Sequence, residues 1–286
     1  MIRRQIGLLI SLVMLALALP GLARAGCADR KAACQVQAGA VSGSYHLVLP
    51  GGEAPPGGWP AVVMLHGWGS DGSGILAMSG VVRELTGRGY AVIAPDGSPR
   101  EGRDGRQWLF PRQGRAAGRD EGAFLRAVAN DAARRQGLNR ARMVLAGFSV
   151  GSSMVSYVAC DTPGSFAAYA PVGGSFWRPM PRACAGPVRL FHTHGWRDGT
   201  VPLEGRAVGG GTAVQGDVFA AMAIWRAANR CPRSQPDGFA GDPSFQIRRW
   251  SDCAPGASLV LALHPGGHVL PKGWATAMLD WFEAGP

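Results

Sequence analysis

One pentapeptide constrains this chain more than any other stretch. Gly147-Phe148-Ser149-Val150-Gly151 follows directly on the apolar run Met143-Val144-Leu145-Ala146. The apolar run predicts a buried strand, and the residues from Gly151 to Cys160 predict a helix. A serine between two glycines at such a junction predicts a tight, strained turn from strand into helix. Side chains at Gly147 or Gly151 would crowd the neighbouring backbone there. The turn lifts the hydroxyl clear of the sheet, where a base and a substrate can both reach it. A five-residue pattern also arises by chance, so the rest of the chain has to support it.

The flanking sequence supports it through its periodicity. Strands are predicted over Val41 to Leu49, Ala61 to Leu65, Tyr90 to Ala94, Phe166 to Pro171, Val188 to Thr193 and Ser258 to Leu263. Helices are predicted over Val81 to Arg88, Asp120 to Arg135, Val218 to Asn229 and Trp274 to Phe282. The Asp120 to Arg135 segment keeps Phe124, Leu125, Val128 and Ala132 on one face. Strands alternating with helices imply βαβ units, hence a mostly parallel α/β sheet covered by helices on both faces. Ligand sites in such sheets lie beyond the carboxyl ends of the strands.

A serine hydroxyl is a weak nucleophile. It needs a base to take its proton, an acid to orient that base, and donors for the oxyanion that forms. In α/β-hydrolases these follow in the order serine, acid, histidine. Downstream of Ser149 stand His192, His194, His264 and His268. His268 follows a predicted strand through the flexible Pro265-Gly266-Gly267 and is the expected base; His264 is closer to the strand and is expected to pack. Asp198 follows Val188 to Thr193 and is the expected acid. Asp96 also ends a strand but precedes the serine, which suits a structural turn. The oxyanion donors are expected to be the amides of Val150, after the nucleophile, and Trp68, in the loop Leu65-His66-Gly67-Trp68-Gly69. His66 is expected to brace that loop.

Residues 1–25 read as a secretory leader: Arg3 and Arg4, an apolar stretch from Gly7 to Leu19, the break Pro20-Gly21, and the small-x-small Ala23-Arg24-Ala25. Residues 26–286 are then expected to form one catalytic domain, exported to the periplasm or beyond the cell, with no stable membrane insertion. The chain holds 29 basic and 19 acidic residues. Most of the excess is scattered arginine without a nucleic-acid motif, so a solvated basic surface is expected and no nucleic-acid partner. All six cysteines lie beyond residue 25. An even number behind a leader predicts disulfides, and proximity favours Cys27–Cys34, Cys160–Cys184 and Cys231–Cys253. No CxxC or clustered Cys/His spacing suggests a metal.

The assembled motifs resemble the secreted polyhydroxybutyrate depolymerase-like esterases of the α/β-hydrolase superfamily, relatives of feruloyl and acetylxylan esterases. The resemblance spans about Ser44 to Phe282. It rests on Val62-Val63-Met64-Leu65-His66-Gly67, Pro95-Asp96-Gly97, Asp120-Glu121-Gly122-Ala123-Phe124-Leu125, the pentapeptide, Phe166-Ala167-Ala168-Tyr169-Ala170-Pro171-Val172, His194-Gly195-Trp196-Arg197-Asp198 and Gly266-Gly267-His268-Val269-Leu270-Pro271. Cys231 and Cys253 look like a pair the family tends to carry near its penultimate strand. Two positions depart from the family pattern. Val150 stands where alanine is usual, and Val269-Leu270 replaces Thr-Trp.

The resemblance implies an α/β-hydrolase fold and hydrolysis of carboxylic esters without a cofactor. A monomer acting on a small or oligomeric ester is expected, such as a soluble 3-hydroxybutyrate oligomer or a short acyl or aromatic ester. Polymer granules are not expected as the main substrate. Trp59, Trp68, Trp108 and Trp177 are candidates for an aromatic-tolerant cleft. The alternatives are a feruloyl or acetylxylan-type esterase acting on plant polysaccharide esters, or an acyltransferase or peptidase on the same scaffold.

Overall fold

The computed structural model describes Cys27, residues 32–110 and residues 118–285; the expected leader, 1–25, lies outside them. Ten strands form one sheet among the described residues. They are β1 (Cys34–Ala38), β2 (Val41–Val48), β3 (Ala61–Leu65), β4 (Ala91–Pro95), β5 (Met143–Phe148), β6 (Ala168–Val172), β7 (Arg189–Gly195), β8 (Gly238–Gly241), β9 (Gln246–Trp250) and β10 (Ser258–His264). Their order is β1-β2-β4-β3-β5-β6-β7-β10-β9-β8. The six from β4 through β10 run parallel, and antiparallel strands flank them on both sides.

Helices cover both faces, and the central strands divide their side chains between them with the period of two that a pleated strand imposes. On one face Ala61, Val63, Leu65, Met143 and Leu145 pack against α3 (Glu121–Gln136), α4 (Val150–Asp161) and α5 (Val218–Ala228). On the other, Val62, Met64, Val144 and Ala146 pack against α1 (Gly72–Ala77), α2 (Ser79–Gly87) and α6 (Trp274–Glu283). This explains why the central strands read as continuous apolar runs: both of their faces are interior. Local chemistry sets the helix ends. Asp120 accepts from the Ala123 amide at the start of α3, and Gly137, at φ 62°, ends it in the left-handed conformation. Asp217 caps α5 in the same way.

The elements the sequence does not predict are short or peripheral. Helix α1 has two glycines in six residues, and Asp71 caps it. Strands β8 and β9 lie at the sheet edge, where an exposed Gly238-Phe239-Ala240-Gly241 and a half-exposed Gln246-Ile247-Arg248-Arg249 carry no buried-strand signature. A ribbon of Ala207–Val208 with Ala213–Val214 follows β7 and walls the site described below.

Three disulfides tie loops to this frame: Cys27–Cys34 before β1, Cys160–Cys184 from the end of α4, and Cys231–Cys253 from the end of α5 to the loop before β10. Among the described residues no helix is long and apolar enough to cross a membrane.

Candidate active site

Ser149 sits at the junction of β5 and α4 with φ 59° and ψ −122°, a backbone conformation that a residue with a side chain rarely adopts. Its own amide donates to the Val172 carbonyl at 2.9 Å, which holds the turn against β6. The neighbouring glycines are needed for space. A Cβ on Gly147 would lie 2.6 Å from the Gly151 carbonyl oxygen, and a Cβ on Gly151 would lie 2.6 Å from the carbonyl oxygens of both Leu65 and His66. The elbow is thus pressed against itself and against the end of β3.

From this turn the hydroxyl reaches an imidazole supplied by the loop after β10. His268 Nε2 lies 2.9 Å from Ser149 Oγ. The other ring nitrogen, Nδ1, lies 2.7 Å from Asp198 Oδ2. The ring leans on Phe148, centroid to centroid 4.8 Å. Asp198, in the loop after β7, has a fully buried carboxylate. Burying a charge is costly unless hydrogen bonds replace the lost water. Here the Thr200 and Val201 amides donate to Oδ1 at 2.9 and 2.8 Å, leaving Oδ2 to His268. One carboxylate oxygen is therefore held by the loop and the other by the imidazole.

Residues that the sequence sets aside have other partners. Asp96 accepts from Ser44 Oγ at 2.5 Å and from the Gly72 amide at 2.9 Å, so it ties β2 and α1 to the end of β4. His264 Nδ1 accepts from the Gly266 amide at 3.1 Å within its own loop. His66 donates from Nδ1 to the Gly67 carbonyl at 2.8 Å and accepts from the Gly97 amide on Nε2 at 3.0 Å. Both nitrogens being occupied makes it a brace for the loop carrying Trp68, and burial lowers its pKa below the ordinary imidazole value. Trp108 adds to the brace by donating from Nε1 to the His66 carbonyl at 2.9 Å.

A cavity of about 450 Å³ opens beside Ser149. Trp68 and Val150, the expected oxyanion donors, line it together with Ser149. Val150 is the first residue of α4, where amide protons lack partners within the helix and the macrodipole favours negative charge. Gly67 packs close to the nucleophile, its Cβ position 3.5 Å from Ser149 Cβ. Phe176 and Trp177 give the cavity an apolar floor, and Trp177 Nε1 donates to Ser153 Oγ at 3.2 Å. Trp68 and Trp177 are the tryptophans of this cleft; Trp108 is buried behind His66, and Trp59 packs on the core. Much of the remaining wall comes from residues that no motif marks: Thr200 and Val201, Val208 and Ala213 of the ribbon, and Arg206 and Gln215 beside it. Their role depends on where the ribbon folds, and periodicity carries no signal for that.

Comparison with known proteins places this geometry. Residues 43–179 match the family described as Esterase PHB depolymerase. The matched stretch includes the Trp68 loop and the Ser149 elbow, while Asp198 and His268 lie beyond it. This match, with the esterase structures named below, supports a carboxylic ester hydrolase. No curated protein sequence matches the chain significantly. Solved structures share the fold. An acetyl xylan esterase from Aspergillus awamori is 16% identical with a TM-score of 0.63 over 84% of this chain and 93% of that one. A carboxylesterase from Bacillus cereus is 14% identical, TM-score 0.55, over 84% and 94%. A carboxylesterase from Mesorhizobium loti is 19% identical, TM-score 0.55, over 88% and 99%. The architecture is that of an α/β-hydrolase.

Proposed function

We propose that this protein is a secreted serine esterase working through Ser149, His268 and Asp198. The substrate would be a short acyl or aromatic ester or a soluble 3-hydroxybutyrate oligomer. One observation carries the reading: the unbroken chain from Ser149 Oγ to His268 Nε2 to His268 Nδ1 to Asp198 Oδ2, at 2.9 and 2.7 Å.

With Asp198 accepting from Nδ1–H, Nε2 is free to take the serine proton. Ser149 Oγ bonds to the ester carbonyl carbon as its proton passes to His268. The carbonyl oxygen becomes an oxyanion, received by the Val150 and Trp68 amides. His268 then gives its proton to the leaving alkoxide oxygen, the C–O bond breaks, and an alcohol departs from the acyl-enzyme. Water repeats the sequence: His268 takes its proton, the hydroxyl adds to the acyl carbon, and Ser149 Oγ leaves with the proton returned to it. The acid is released and no cofactor is consumed. Three disulfides suit an oxidising compartment, in keeping with export.

The test is a panel of nitrophenyl esters of increasing acyl length, soluble 3-hydroxybutyrate oligomers and methyl ferulate, run with wild type and Ser149→Ala. Hydrolysis that vanishes in the variant supports the reading, and the preferred member names the substrate. Hydrolysis that survives in Ser149→Ala overturns it.

A further inference from the structure

The cavity beside Ser149 has one ionisable side chain among its lining residues, and it is cationic: Arg206. Arg206 stands at the base of the ribbon after β7. Its Nε donates to the Thr200 carbonyl at 3.0 Å, and Thr200 is itself part of the cavity wall. Arg206 is an exposed residue, and this bond tethers its guanidinium beside the loop that holds Asp198. Among the described residues no carboxylate pairs with Arg206, in contrast to Arg88, Arg119 and Arg135, each of which meets an acid. The ribbon is held in place at its base. The Gln215 amide donates to the Arg206 carbonyl at 2.9 Å, and the Gly216 amide donates to the Phe176 carbonyl at 2.8 Å.

The position of the base assigns the cavity to one side of the ester. His268 must face the leaving oxygen, and His268 is not among the residues that line this space. The cavity therefore receives the acyl part, with Val150, Phe176, Trp177 and the ribbon among its walls.

We infer that the acyl cavity selects a short acyl chain ending in a carboxylate, held by the Arg206 guanidinium. The inference rests on the esterase reading above and narrows its substrate. With Nε committed to the Thr200 carbonyl, the two terminal nitrogens of the guanidinium remain to meet a carboxylate with parallel N–H donors. Neutral acyl chains of equal length would fill the same space without that contact.

The first experiment compares 4-nitrophenyl hydrogen glutarate with 4-nitrophenyl valerate, which have equal acyl lengths and differ in terminal charge. Wild type should favour the glutarate ester in kcat/KM. In Arg206→Gln the ratio of the two kcat/KM values should fall by at least about tenfold, mainly through KM, and Arg206→Lys should recover part of it. A wild-type preference for valerate, or a ratio within about twofold of wild type in Arg206→Gln, overturns the inference.

The second experiment needs no turnover. Ser149→Ala enzyme is titrated with monomethyl glutarate and with dimethyl glutarate. Preferential binding of the anion, weakened about tenfold by adding Arg206→Gln, supports the inference; equal binding of the two overturns it. If neither these two esters nor any member of the panel above is hydrolysed, the esterase reading fails, and the titration still decides the charge preference.

Discussion

His194 and Asp198 approach to 3.6 Å inside the protein, yet the imidazole does not hydrogen-bond to the carboxylate. His194 Nε2 instead lies 2.7 Å from the Val201 carbonyl. A carbonyl only accepts, so Nε2 carries the proton and Nδ1 is left to accept from His192 Nε2 at 3.2 Å. The two rings lie parallel beneath the loop that presents Asp198. Burial lowers both pKa values, that of His192 well below the ordinary range. The pair supports the acid's loop while adding no charge beside it.

Acid should therefore loosen the fold. Burial lowers the pKa of His66, His192, His194 and His264 in the folded protein, while the unfolded chain protonates them normally. Their contribution is complete above the unfolded value of about 6.5 and is lost as the pH falls below it. Glu121, whose pKa is raised by burial, acts in the opposite sense, because acid relieves the cost of its ionised form. Denaturant midpoints measured from pH 7 down to 5 should decline. His192→Gln should flatten that decline by up to about 1.4 kcal/mol per pH unit. An unchanged slope in the variant would count against the buried neutral imidazole.

Asp198→Asn should leave the fold intact and disable the chemistry. The amide can still meet His268 but no longer fixes the tautomer that frees Nε2 for Ser149. A loss on the order of 10⁴-fold in kcat is expected, and Ser149→Ala should lose at least as much. Thermal melting beside steady-state kinetics separates this from unfolding; a Tm near wild type with near-normal kcat would sink the assignment.

Gly147→Ala and Gly151→Ala should both be destabilising, because each new methyl group meets backbone carbonyl oxygen rather than a movable side chain. A cost of about 1–3 kcal/mol or more follows. Gly39→Ala makes a useful contrast: nothing lies near its Cβ position, and its φ of 61° leaves conformational strain as the sole penalty. Urea denaturation of the three variants should rank Gly39→Ala as the mildest.

The Cys231–Cys253 bridge closes a loop with a sequence separation of 22 and fastens the end of α5 to the approach to β10. Replacing both cysteines with serine should cost roughly 3 kcal/mol through the added freedom of the unfolded chain. The fall should appear in Tm under non-reducing conditions. A variant that melts with wild type would show that the bridge adds nothing.

Sequence alone determines the parts of this protein that depend on local chemistry and repetition. The apolar runs at Ala61, Ala91 and Met143 mark strands because both of their faces are interior. Phe124, Leu125, Val128 and Ala132 mark a helix because its apolar face repeats with the helical period. Gly147, Ser149 and Gly151 mark the elbow because one strained turn needs all three at once. Tertiary structure decides the rest, and the reason is distance along the chain. Ser149 and His268 are 119 residues apart, and Asp198 and His268 are 70 apart, so their contacts exist only once β5, β7 and β10 lie in one sheet. Arg206 looks like any exposed arginine in sequence. It becomes part of a cavity wall because the ribbon after β7 folds back toward Trp177, a placement set by backbone pairing that carries no sequence period.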